Sequence, residues 1–345
     1  MIFKNIQALR AFAANSVLLT HIVSVEQKYG HGISVLDPSF HLGAMSVDLF
    51  FVISGFIMAS LANATRWDKF LIDRATRIYP LYWFYTTIVL LITLIAPGLA
   101  NNSFEHAPSL WRSYLLIPDT VMPLLAVGWT LIHEIYFYLV FAFILFSMRF
   151  ITLPVIAWAV LWGAAIIAVN LSGLNDQTGP IVTLVTHPLT LEFILGIAVG
   201  TLIHQSNKTQ LLWTICAIAI VVLTLCCSDI TFINIDEKNL QHIALFGIPC
   251  ALLVYAALQI ELKNILVAPA WLVQLGNASF SIYLMHVLVI SALGHIFVKL
   301  PFHTPPFEIA FVVLCIAAPY IAGLVSYRLI EQPMQRALRH KVRSS

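Results

Sequence analysis

Charge is what this chain has least of. Only 10% of its 345 residues are Asp, Glu, Lys or Arg, whereas 60% are hydrophobic, and the mean hydropathy is +0.90. Soluble domains carry about 25% charged residues, so a water-soluble fold is excluded. Cysteine is scarce as well. Its five copies, Cys216, Cys226, Cys227, Cys250 and Cys315, all fall in or at the ends of apolar runs, without CxxC or other ligand spacing, which argues against disulfides and zinc. No internal repeat or low-complexity tract occurs, and nothing resembles an HExxH metal signature, so no metal is expected. The net charge of +2 leaves no footprint for nucleic acid. The first apolar run lacks a small-residue cleavage site and is expected to be a retained helix.

What the chain has in abundance is apolar length. Ten runs stand out, at about 8–25, 43–61, 79–98, 127–148, 150–170, 181–203, 210–227, 240–259, 279–298 and 307–328, each close to the roughly 20 residues a helix needs to cross hydrocarbon. The expected fold is all-α and polytopic, with about ten transmembrane helices in one domain over 1–345 and no fused extracytoplasmic domain. With the N-terminus in the cytoplasm, fourteen of the 18 Lys and Arg fall in cytoplasmic segments, leaving Lys28, Arg112, Lys238 and Lys299 outside. That asymmetry is the positive-inside rule, and ten spans make both termini cytoplasmic.

Ionisable groups at membrane depth are costly, so each is a functional hypothesis. Within "RAFAANSVLLTH", Arg10 and His21 are eleven residues apart, roughly 16 Å along a helix at about 1.5 Å per residue, and share nearly one face. Asp48 in "SVDLFFVISGF" and Glu134 in "GWTLIHEIYFYL" are expected at a depth similar to that of His21. A histidine beside a carboxylate is a general-base pair, the carboxylate fixing the tautomer and stabilising the imidazolium. The alternatives are structural: a hydrogen-bonded buried histidine, an aspartate favoured at its helix start, and a Glu134–Tyr138 polar pair at i, i+4. His133 is expected to point elsewhere, nothing ties His187, Glu192 and His242 together, and His286 is expected near the middle of its span.

The segment "RWDKFLIDRATRIYPLYW" supplies Arg74 and Arg77, neighbours on a helix, followed by the aromatics Tyr82 and Trp83. Guanidinium forks suit phosphate oxygens, and aromatic faces suit a purine; the alternative is a purely topogenic role. An anionic donor docked near Arg10, Arg74 and Arg77 would reach His21 through the bundle, with an acceptor approaching from outside.

At these residues the chain resembles the acyltransferase-3 family of integral membrane O-acyltransferases. The resemblance rests on Arg10 and His21, on "SVDLFFVISGFIM" with Asp48, on "RATRIYPLYW" with Arg74 and Arg77, and on "GWTLIHEIYFYL" with Trp129, Glu134 and Tyr138. Weaker matches are "SFSIYLMH" with Tyr283 and His286 and "YRLIEQP" with Glu331 and Pro333. It implies transfer of an acyl group, usually acetyl, from cytoplasmic acetyl-CoA or another acyl-CoA to a sugar hydroxyl of an exopolysaccharide, O-antigen or similar envelope glycan. His21, Asp48 and Glu134 are then the expected catalytic residues. Arg10, Arg74, Arg77, Tyr82 and Trp83 are expected on the donor, and Trp129, Tyr138 and His286 on the acceptor. The expected setting is the bacterial inner membrane, with a glycan or lipid-linked sugar, acyl-CoA, membrane lipid and a second copy of the chain as partners, and no nucleic acid. The rival reading is a transporter or flippase for a glycan precursor, although no inverted repeat or paired broken helix supports it.

Overall fold

The computed structural model describes residues 3–29, 35–36, 42–96, 107–151, 153–173, 179–203, 239–301 and 304–344, and among them every regular element is a helix. In chain order these are α1 (Lys4–Tyr29), α2 (Leu42–Leu61), α3 (Trp67–Ile95), α4 (Leu110–Leu115), α5 (Gly128–Ser147), α6 (Val155–Ser172), α7 (Pro180–Val185) and α8 (Thr190–Leu202). Then follow α9 (Leu240–Leu262), α10 (Ala270–Asn277), α11 (Ser279–Phe297), α12 (Pro305–Ser326) and α13 (Gln332–Ser344). Eight helical segments among the described residues are long and apolar enough to cross a membrane, and a shorter apolar helix covers Met45–Leu61. These nine segments meet nine of the ten expected runs; the run 210–227, with Cys216, Cys226 and Cys227, lies outside the described residues. Expected span 181–203 is broken into α7 and α8, at a point where Pro188 disfavours helical backbone in the residue before it.

The helices group into two compact units that interleave along the chain. The first comprises Met1–Ala13, Ala44–Ile72 and His133–Gly276. Its seam is the crossing of α2 with α8. A Cβ at Gly55 would stand 2.1 Å from the Phe193 carbonyl oxygen, one at Gly196 2.1 Å from the Val52 carbonyl oxygen, and one at Gly200 2.6 Å from the Ala59 Cβ. Gly55-x3-Ala59 therefore lies against Gly196-x3-Gly200, with residue numbers rising together, a parallel crossing of the small-xxx-small kind. Lipid tails are as apolar as leucine, so close backbone approach and polar ties hold such helices, not exclusion from water. The start of α1 is tied in the same way. Its Lys4 and Asn5 N–H groups donate to the Glu261 carboxylate at 2.8 and 2.7 Å, satisfying donors that a helix N-terminus leaves open.

The second unit comprises Ala14–Gly43, Asp73–Ile132 and Asn277–Ser345. Here the later turns of α1 pack on α11 and α12 through buried Leu18, Ile22, Ile290, Phe311, Val312 and Cys315. Tyr320 donates to Asn15 Oδ1 at 2.6 Å, and Ser281 donates to Glu331 Oε2 at 2.6 Å. Each unit exposes large apolar side chains, Phe150 and Leu171 in the first and Leu94 and Ile95 in the second, which suits contact with lipid.

Candidate active site

His21 stands on α1 in the second unit, half-buried. The packing of Leu18 and Ile22, one turn before it and one residue after, seats this part of α1 against α11. There the His21 ring meets that of His286, with centroids 5.0 Å apart and planes at 51°. His286 is 1% exposed, and its Nδ1 lies 2.6 Å from the Tyr283 carbonyl oxygen one turn earlier. A carbonyl only accepts, so Nδ1 carries the hydrogen and the neutral ring keeps its lone pair on Nε2. Among the described residues that nitrogen is buried with no hydrogen-bond partner. The pair is therefore two imidazoles in contact, one of them locked in a single tautomer by its own helix.

Tyr283, one turn before His286, packs its ring 5.8 Å from it. Its hydroxyl donates to the Val127 carbonyl at 3.0 Å and lies 2.8 Å from Thr130 Oγ1. This fastens α11 to the start of α5, where Trp129 is half-buried. Gly128 lets Tyr82 pack closely there, since a Cβ would come within 2.9 Å of the Tyr82 hydroxyl. Tyr82 itself is fully buried and donates to the Ser113 carbonyl at 2.7 Å. Trp83 is 44% exposed, with its indole N–H donating to the Tyr114 carbonyl at 2.8 Å. Arg74 and Arg77 lie one turn apart on the same helix, both half-buried.

The other expected residues belong to the first unit. Arg10 donates to Gln7 Oε1 at 3.1 Å. Glu134 accepts from Ser54 Oγ at 3.3 Å and from the Tyr138 hydroxyl one turn on, the latter being the i, i+4 pair the sequence offered. Tyr138 is buried edge-on against Phe70. The histidine that Asp48 holds is His242, whose Nε2 lies 3.1 Å from both carboxylate oxygens. Glu192 joins them, and ligand atoms of Asp48, Glu192 and His242 all lie within 4.8 Å of one another. His133 packs against His187 with ring centroids 4.8 Å apart. Reading the sequence missed both groupings: their members are scattered over distant helices, and no spacing links them.

Comparison with known proteins identifies relatives of this chain. The model of a family described as an acyltransferase domain matches residues 3–324. An exopolysaccharide production protein, ExoZ of Rhizobium meliloti (strain 1021), is 31% identical over 315 residues, covering 89% of this chain and 94% of the relative. Acyltransferase MdmB of Streptomyces mycarofaciens is 26% identical over 317 residues, covering 83% of this chain and 78% of the relative. No solved structure matches.

Proposed function

The chain belongs to the acyltransferase-3 family, and on that premise we propose that it transfers an acyl group, acetyl first of all, from acyl-CoA to a sugar hydroxyl of a cell-envelope polysaccharide. A membrane acyltransferase is the activity of the family; the polysaccharide acceptor is favoured by the relative named for exopolysaccharide production. The observation that carries the chemistry is the contact of half-buried His21 with buried His286. Helix packing alone does not call for a buried imidazole nitrogen that no described residue hydrogen-bonds.

In the proposed reaction His21 takes the proton of the acceptor hydroxyl as its oxygen attacks the thioester carbonyl. The carbon–sulfur bond breaks, the new ester forms, and the proton passes from the imidazolium to the departing thiolate. His286, its Nδ1–H committed to the Tyr283 carbonyl, presents only a lone pair and so favours a proton on the ring beside it. Arg74 and Arg77 bind phosphate oxygens of the donor, and Trp83, the aromatic with an exposed ring, offers the stacking face. Of the residues expected on the acceptor, Trp129 and His286 belong to the same unit as His21.

The setting we propose is a bacterial inner membrane, with both termini in the cytoplasm. The distribution of Lys and Arg supports it. The deciding experiment is NMR of envelope glycans from cells carrying the wild-type chain, no chain, or His21→Ala. An O-acyl group present only with wild type is expected. An O-acyl pattern indifferent to the chain overturns the reading, and full acylation by His21→Ala removes His21 from the chemistry.

A further inference from the structure

Asp48, Glu192 and His242 come from three helices of the first unit, α2, α8 and α9, and are 1%, 0% and 2% exposed. We propose that they form a binding site for one divalent first-row metal ion of the zinc or manganese class. This inference does not depend on the acyl-transfer reading.

The donor set is one imidazole nitrogen and two carboxylates, the combination that borderline and harder divalent ions take. The spacing suits it. Four-coordinate zinc, with bonds of about 2.0–2.1 Å, holds its ligand atoms about 3.3 Å apart. Here His242 Nε2 stands 3.1 Å from Asp48 Oδ1 and Oδ2, and the three-residue set closes within 4.8 Å. Charge fits too. A dication neutralises two carboxylates and leaves imidazole neutral, which is the protonation state each ligand needs for binding and the least costly in a medium that penalises net charge.

The surrounding fold places the ligands with little slack. Asp48 precedes Gly55 by two helical turns and Glu192 precedes Gly196 by one, so both carboxylates lie on the faces that the glycine seam brings together. His242 sits immediately before a π-helical turn, Ile243–Gly247. Such turns are rare and concentrate at functional sites, where the extra residue re-aims a side chain. Gly247 leaves the room that Glu192 occupies: a Cβ there would stand 3.1 Å from Glu192 Cγ. On the far side of the same turn, Cys250 Sγ donates to the Met45 carbonyl at 3.4 Å, holding α9 against α2 one turn before Asp48.

The test uses the full chain purified in detergent, stripped with chelator, then exposed to Zn²⁺ alone or Mn²⁺ alone. Elemental analysis after desalting is expected to find about one ion per wild-type chain. X-ray absorption at the zinc edge is expected to show a shell of nitrogen and oxygen with one imidazole. Asp48→Asn, Glu192→Gln and His242→Gln should each weaken binding by at least about tenfold, the lower loss seen even for outer-shell partners, while His295→Gln should not. A wild-type chain that takes up neither ion, a shell without imidazole, or binding undiminished in all three variants overturns the proposal. The wild-type measurements decide even if a variant fails to fold.

Discussion

At the level of single residues the weight falls on His286. The Tyr283 carbonyl claims its Nδ1, so Nε2 is the one nitrogen left to act in a ring that packs against His21. His286→Phe keeps an aromatic of similar bulk and deletes the lone pair. Single-turnover CoA release in proteoliposomes should fall by about 10²-fold, the low end of what a proton-handling group contributes, with His286→Gln recovering part of it. A Phe variant as fast as wild type would leave His286 a packing residue. Local pairs of this kind are legible in a sequence: Glu134 and Tyr138 are four apart, and helical periodicity alone puts them together. Asp48 and His242 are 194 positions apart, and an ionisable group in an apolar run announces itself without naming its partner. Asp48 and His242 were therefore each visible, and their pairing was not.

Among the elements, the α2–α8 seam is where the sequence said least and the structure says most. The apolar runs identify helices by length, but "SGFIMAS" and "LGIAVG" read only as small residues among large ones. Their meaning lies in the backbone carbonyls of Phe193 and Val52, each about where a Cβ would go. No side chain can rotate to relieve such an overlap, so Gly196→Val should reach or exceed the upper end of the roughly 1–3 kcal/mol that overpacking costs. Thermal unfolding in detergent is the measurement; an unshifted midpoint would mean that α2 and α8 do not approach so closely. The same substitution at Gly173, where φ is +67 and an added Cβ would meet nothing within 4 Å among the described residues, strains its own backbone and the C-cap of α6.

Across the whole molecule, composition determined the class and could not determine the grouping. Apolar runs recur from end to end, and nothing in them marks the places where the chain passes between its two compact units, at residues 13, 43, 72, 132 and 276. Charge does carry global information. With fourteen of 18 Lys and Arg assigned to one side, cytoplasm-dependent reporters fused to the N-terminus and to the C-terminus should both be active. Activity at only one end would mean an odd number of crossings. The π-helical turn at Ile243–Gly247 has its own bearing at this scale. A turn of this kind is a helix that has absorbed one residue beyond its regular count. A lineage could shed that residue without breaking α9, since the turns from Ile248 onward would keep their packing while everything before the turn rotated by about 100°. His242 would swing away from Asp48. A one-residue difference in chain length at this place is therefore the smallest genetic change that would separate relatives holding the Asp48–Glu192–His242 cluster from relatives that do not.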